Sequence, residues 1–202
     1  MKILTISDRV EPVLYNEFNA EMFTGIDFVL SCGDLPPEYL SFITSRLNAP
    51  LYYVRGNHDI RYDTKPPEGC IDLDGRLIRH GSLRLLGLEG SRWYNGNPNQ
   101  YTEPQMRQKL WKLRPRLWWW KGADIIITHA PPRHIHDGED LCHRGFRCFH
   151  GLIDRYAPQY FIHGHIHKTF THPSQRMTHI STTTVLNTFG YHIITDAHED
   201  SQ

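Results

Sequence analysis

The 202-residue chain predicts an α/β fold over residues 1–196, one folding unit, with a polar tail at residues 197–202. Two observations point there. Short β-branched or aliphatic runs recur along the chain, each closed by a polar turn, and segments with helical spacing separate the first of them. A third pattern bears on function: side chains able to bind metal cluster just after these runs, at the edge where open α/β sheets place their ligands.

The predicted strands are residues 2–7, 26–31, 51–55, 83–88, 124–128 and 160–163, with a final alternating strand at 191–195. Residues 37–47 predict a helix: Pro37 suits a first turn, and Leu40, Ile43 and Leu47 share one face. Early βαβ units with parallel pairing follow. Residues 103–120 are helical in pattern, but Pro115 predicts two short helices rather than one. Residues 145–156 predict another helix, with Phe146, Phe149, Leu152 and Ile153 on its apolar face. A Gly/Asn/Pro-rich loop occupies residues 91–100, and no repeat or low-complexity tract interrupts the chain.

Composition narrows the partners. Twenty-two basic and 22 acidic residues give zero formal charge, so no global field would hold the chain on nucleic acid or an anionic membrane. A small-molecule substrate is the expectation. Cys32, Cys70, Cys142 and Cys148 lack paired C-x-x-C spacing and predict reduced structural thiols. The apolar run after Met1 is too short for a signal peptide, and none approaches a membrane span, which predicts a cytoplasmic location. Histidine is over-represented: eight of the 14 fall between His129 and His167, and histidine is both the commonest metal ligand and the usual acid or base near neutral pH.

Asp8 follows the first strand, Asp34 the second, Asn57-His58-Asp59 the third, His129 the strand at 124–128, and His163-Gly164-His165-Ile166-His167 the strand at 160–163. Each alone has an ordinary reading: a turn or cap for Asp8 and Asp34, a hydrogen-bonded core residue for His129. Their coincidence at five strand ends does not, and it points to a metal centre.

The ordered set of Asp8, Cys32-Gly33-Asp34, Gly56-Asn57-His58-Asp59, Thr128-His129-Ala130-Pro131-Pro132 and Gly164-His165-Ile166-His167 resembles the calcineurin-like metallophosphoesterases. The resemblance implies two facing mixed β-sheets flanked by helices and a site for two divalent ions, manganese favoured over iron, zinc or nickel. Asp34 would bridge both ions, Asp8 and His167 would bind the first, and Asn57, His129 and His165 the second. The family's first motif is Asp-x-His, whereas Asp8 is followed by Arg9 and Val10. The first ion is therefore expected to be held weakly, with Glu11, His134, His136 and His143 as candidates to complete its shell. Two ions about 3.5–4 Å apart lower the pKa of a bridging water and clamp the attacking and leaving oxygens, so the nucleophile is hydroxide. His58 would protonate or stabilise the leaving alkoxide, with Asp59 orienting its ring. Trp93, Tyr94, His136, His143 and Arg144 lie in loops suited to substrate contact, while Trp118-Trp119-Trp120 predict packing rather than base stacking. The expected substrate is a small phosphodiester or phosphomonoester. The alternative is a non-catalytic metal-binding scaffold of the same fold, which Val10 favours and the intact His58 opposes.

Overall fold

The computed structural model describes residues 1–195; the polar tail predicted at 197–202 lies outside them. Among these residues, thirteen strands and three α-helices follow in chain order: β1 (Lys2–Ser7), β2 (Phe28–Ser31), α1 (Pro37–Leu47), β3 (Leu51–Tyr53), β4 (Cys70–Asp72), β5 (Leu77–His80), β6 (Leu83–Leu88), β7 (Ser91–Arg92), β8 (Gln100–Tyr101), α2 (Glu103–Trp119), β9 (Ile125–Thr128), α3 (Cys148–Tyr156), β10 (Tyr160–His163), β11 (Met177–Ile180), β12 (Thr183–Asn187) and β13 (Gly190–Thr195).

One five-stranded sheet has the order β13-β1-β2-β3-β4, and a six-stranded sheet the order β11-β12-β10-β9-β6-β5. Both are mixed. β1 to β4 run parallel with β13 antiparallel at the edge, and β6, β9, β10 and β12 run parallel with β5 and β11 antiparallel outside them. The parallel strands read as continuous apolar runs because both of their faces are buried.

Three apolar layers account for that burial. Ile3, Phe28, Leu30 and Tyr52 of the first sheet meet Leu85, Ile125, Ile127 and Ile162 of the second. On the outer side of the first sheet, Leu4, Ile6, Val29 and Leu51 pack on Tyr39, Leu40 and Ile43 of α1. On the outer side of the second, Leu86, Ile126, Phe161 and Val185 pack on Met106, Leu113 and Leu117 of α2 and Phe149, Leu152 and Ile153 of α3. Alternate strand residues point to opposite faces, so the arrangement is a four-layer sandwich of helix, sheet, sheet and helix.

α2 corrects the expectation of two short helices: it runs unbroken through Pro115. Pro115 lies on the exposed side of the helix, and Leu113 and Leu117, 4% and 1% exposed, anchor the turn on either side. Interior proline costs about 3 kcal/mol, which burial of two leucines at roughly 1.5–3 kcal/mol each offsets. Thr102 and Gln105 start the helix with a reciprocal capping box. α3 begins at Cys148, three residues later than the pattern predicts; Phe146 is fully buried and bridges to Pro132 instead. All four cysteines are free. No helix of the described residues is long and apolar enough to cross a membrane.

Candidate metal and catalytic site

β1, β2 and β3 of one sheet and β9 and β10 of the other end at one edge of the sandwich, and the polar side chains that follow them meet there. Asp8, Asp34 and His165 adopt left-handed backbone at φ 63°, 57° and 66°. Such conformations cost non-glycine residues on the order of 1–3 kcal/mol each and concentrate at functional sites. They turn the chain sharply enough to project each side chain across the strand ends.

Glycines make room for this convergence. A Cβ on Gly56 would sit 2.0 Å from Oδ1 of Asp34, and one on Gly164 would sit 2.5 Å from Oδ2 of Asp8. The glycines of both motifs are therefore spaces for carboxylates.

Asp34, His129 and His165 each bring one ligand atom within 4.8 Å of the others. His129 is fully buried. Its Nδ1 donates to the Cys32 carbonyl at 2.7 Å, which aims Nε2 at Asn57 Oδ1 (3.1 Å) and Asp34 Oδ2 (3.3 Å). His165 is tied the same way, Nε2 donating to the Cys142 carbonyl at 2.8 Å, so that Nδ1 is its remaining lone pair. Outer hydrogen bonds of this kind fix the tautomer and orientation of metal-binding histidines. Tyr94 secures the amide of Asn57, whose Nδ2 donates to the phenol oxygen at 3.2 Å. Asn57 Oδ1 and His129 Nε2 are both acceptors when the imidazole is neutral, so a proton or a cation must lie between them. The donor set fits a divalent ion.

The electrostatics couple these groups. Burial alone would raise the pKa of Asp34, but the charge and hydrogen bond of His129 hold its carboxyl well below the usual range. Burial opposes protonation of His129, yet Asp34 raises it to about 9. Burial, with the His129 charge, pushes His165 down to about 4, leaving an uncharged imidazole suited to ligation.

Asp8 and His167 form the second cluster. Both carboxylate oxygens of Asp8 accept from the His165 amide, at 3.1 and 2.9 Å, and His167 Nε2 stands 3.4 Å from Asp8 Oδ1. The Asp8 hydrogen bond raises the pKa of His167 against the effect of burial. Val10 is turned into the apolar layer under the first sheet. Glu11 is held by Arg9, Nε to Oε1 at 2.6 Å, and is thereby taken out of the candidate set. Phe189 stacks on the His167 ring at 5.0 Å, with Arg9 5.2 Å above Phe189. Nothing in the sequence marks Phe189, because its role arises only where the turn from β12 to β13 meets the loop after β10.

Three further expectations need correction. Asp59 does not orient His58; its carboxylate accepts from the amides of Asp34 (2.7 Å), Leu35 (3.1 Å) and Gly56 (2.7 Å), clasping the loops after β2 and β3. Burial and the Asp34 charge push its pKa up to about 7. His58 is exposed, positioned by its own amide, which donates to Asp34 Oδ1 at 2.8 Å. His136 has neither nitrogen to spare: Nδ1 meets His163 Nε2 at 2.9 Å and Nε2 meets Thr178 Oγ1 at 2.8 Å. His134, expected as another substitute ligand, is exposed, and its backbone amide bonds to Asp137.

Of the other loop residues, His143 lies with its ring 5.4 Å from that of His165 and its Nδ1 3.0 Å from Asp140 Oδ1. Arg144 donates to the Glu139 carbonyl at 2.7 Å, and Trp93 is 54% exposed on the loop after β7.

The chain belongs to the calcineurin-like phosphoesterase family, whose model matches residues 7–169. Membership supports a phosphoesterase function, and divalent metals serve such enzymes. No curated protein sequence matches the chain. Among solved structures, one crystal structure is similar with TM-score 0.66 at 15% identity, over 96% of this chain and 94% of that one. TT1561 of Thermus thermophilus is similar with TM-score 0.62 at 18% identity, over 94% and 89%. GAP50 of Plasmodium is similar with TM-score 0.55 at 13% identity, over 93% and 70%. These likenesses establish the shared fold.

Proposed function

We propose that the chain is a metal-dependent phosphoesterase that hydrolyses a small phosphodiester, or a phosphomonoester, at the edge where the two sheets end together. The observation that carries this reading is the convergence of Asp34, Asn57, His129 and His165 with the outer nitrogen of each imidazole bonded to a carbonyl. Asn57, His129 and His165 would hold one ion, Asp8 and His167 the other, and Asp34 both. Mixed carboxylate, amide and imidazole ligands suit manganese, iron, zinc or nickel, with manganese favoured. Bound ions supply positive charge against the phosphoryl group and lower the pKa of water at the site.

The chain's own residues do the rest. His58 stands at the solvent rim, on an amide anchored by Asp34, where its ring can give a proton to a departing alkoxide. His58, Asp34, Pro36 and Arg61 line a cleft of 210 Å³, a volume that suits a small ester. Tyr94, bonded to Asn57, keeps the amide oxygen rather than the amide nitrogen turned to the ligands.

Elemental analysis with hydrolysis of bis-p-nitrophenyl phosphate and p-nitrophenyl phosphate, with manganese added, tests the reading. The expected result is diester turnover with about two metal equivalents, and His58→Ala lowering kcat by about 10²-fold without changing metal content. No turnover, with one loosely held ion at most, would establish instead a non-catalytic scaffold. The observation on that side is Val10, packed into the apolar layer where the family places a ligand.

A further inference from the structure

The balanced total charge conceals a local excess. α2 carries Arg107, Lys109, Lys112, Arg114 and Arg116 against one acidic residue, Glu103. Glu103 is already taken by Arg92 and by the amides of Arg147 and Cys148, and Lys109 by Asp74 and Glu89. Among the described residues, Arg107, Lys112, Arg114 and Arg116 have no carboxylate partner, and neither do Lys121, Arg147 and Arg155 in the adjoining segments.

Indole rings stand between these cations. The expectation that the tryptophan run packs against the sheet holds for Trp120, which is partly buried on the core. It fails for its neighbours: Trp118 and Trp119 are 72% and 76% exposed, and Trp111 is 66% exposed. The reason is helical phase. Leu113 and Leu117 claim the core-facing stripe, and at 3.6 residues per turn Trp111 and Trp118 fall together on the opposite side. By the same phase Arg107 and Arg114 flank that pair on one side, and Trp119, Lys112 and Arg116 lie on the other. Arg107, Arg114, Arg147 and Arg155 also line a groove of 560 Å³ between α2 and α3, floored by Leu110 and Leu117.

Three exposed indoles spread over about 100° of the solvent side of one helix form an apolar surface of the kind that marks an interaction site, and the unpaired cations specify an anionic partner. A second copy of the chain would oppose cation to cation. A single-stranded nucleic acid needs consecutive stacking planes along a charged track, but Trp118 and Trp119 project about 100° apart around the helix. A bilayer makes no such demand. Indoles settle at headgroup depth, while lysine and arginine around them meet lipid phosphates.

We propose that the outer face of α2, with the adjoining edge of α3, docks flat on an anionic membrane surface. This proposal departs from the expectation drawn from net charge because the cations are gathered on one part of the surface. Docking of this kind lies on the bilayer and requires no spanning helix, in keeping with the absence of one among the described residues.

The test is co-sedimentation of the full chain with phosphatidylcholine vesicles, with and without about 30% phosphatidylglycerol. Variants are Trp118→Ala with Trp119→Ala, and Arg107→Gln with Arg114→Gln, their folding checked by thermal unfolding. The expected result is binding to the anionic vesicles, roughly tenfold weaker on neutral ones and roughly tenfold weaker for either double variant. Tryptophan emission should shift to the blue on binding and be quenched by brominated acyl chains. Failure to bind anionic vesicles would overturn the proposal, as would binding that survives the Trp118 and Trp119 changes. So would a chain that ignores vesicles and instead dimerises or binds a labelled oligonucleotide through the same tryptophans.

Discussion

The two clusters of the proposed metal site are held to different degrees. Around Asn57, His129 and His165, imidazole nitrogens not aimed inward are bonded to backbone carbonyls, and the amide is bonded to Tyr94. The His129 side chain is wholly buried. Around Asp8 and His167, the aspartate is equally buried but the histidine side chain is 59% exposed and rests against Phe189. One half is preorganised by strand ends inside the sandwich, and the other by a ring stack at its surface. The lesson is that side chains of the same type are steadied to different degrees according to what holds their far side.

The largest test of that difference is to remove one ligand from each half. His129→Ala should lower turnover by about 10³-fold, because several kcal/mol of transition-state stabilisation leave with the ion. It should also destabilise the metal-free fold by about 3 kcal/mol, since Asp34 is then buried without its partner. His167→Ala should reduce metal content by about one equivalent and leave the unfolding midpoint nearly unchanged. Plasma emission spectrometry and calorimetry on both variants check this, and equal loss of stability in the two would break the comparison.

Val10→His sharpens it. Restoring a histidine beside Asp8 should tighten the weaker ion by about tenfold, measured by metal titration. An unchanged affinity would mean that Val10 in the apolar layer cannot turn toward the site.

Tyr94→Phe removes the hydroxyl that orients Asn57. The loss of one hydrogen bond, about 1 kcal/mol, should lower kcat about fivefold. If instead only KM changes, Tyr94 contacts substrate and does not position the ligand.

The smallest effect concerns pH. Burial lowers His136 to about 4, with Lys168 adding to it, while the unfolded chain takes up that proton near 6.5. The unfolded state therefore binds more protons between those values, and stability falls as pH drops from about 6.5 toward 4. His136→Gln should remove roughly 4 °C of the decline in unfolding midpoint between pH 7 and 5. His167 has the opposite sign: its raised pKa contributes stability below about 6.5 that is lost as pH rises through the folded value. An identical pH profile for wild type and His136→Gln would count against buried neutral histidine as the source.

Much of the molecule was legible because its signals are local. Lys2–Ser7, Pro37–Leu47, Leu83–Leu88 and Tyr160–His163 have the bounds that their apolar runs predict. The short strands β4, β7 and β8 were not legible, since two or three residues carry no period. β11 and β12 were missed too: Thr183 and Thr184 are polar, and their strand exists because β10 pairs with it. Pro115 misled for a related reason, since its cost is local and the core contacts that outweigh it are not.

The candidate ligands were readable as Asp, Asn and His after apolar runs, because a strand end is both a sequence feature and a place in space. The sequence by itself determined which chemistry could assemble: oxygen and imidazole donors at the ends of five strands, with valine where the family has histidine. Only the tertiary structure decided which groups steady them. It assigned Asp59 to three amides instead of His58, His136 to His163 and Thr178, and Glu11 to Arg9. It also left Trp118 and Trp119 in solvent beside unpaired arginines. Hydrogen bonds and exposure depend on which distant segments arrive at the same point, and that is set by the packing of the two sheets rather than by any local run of residues.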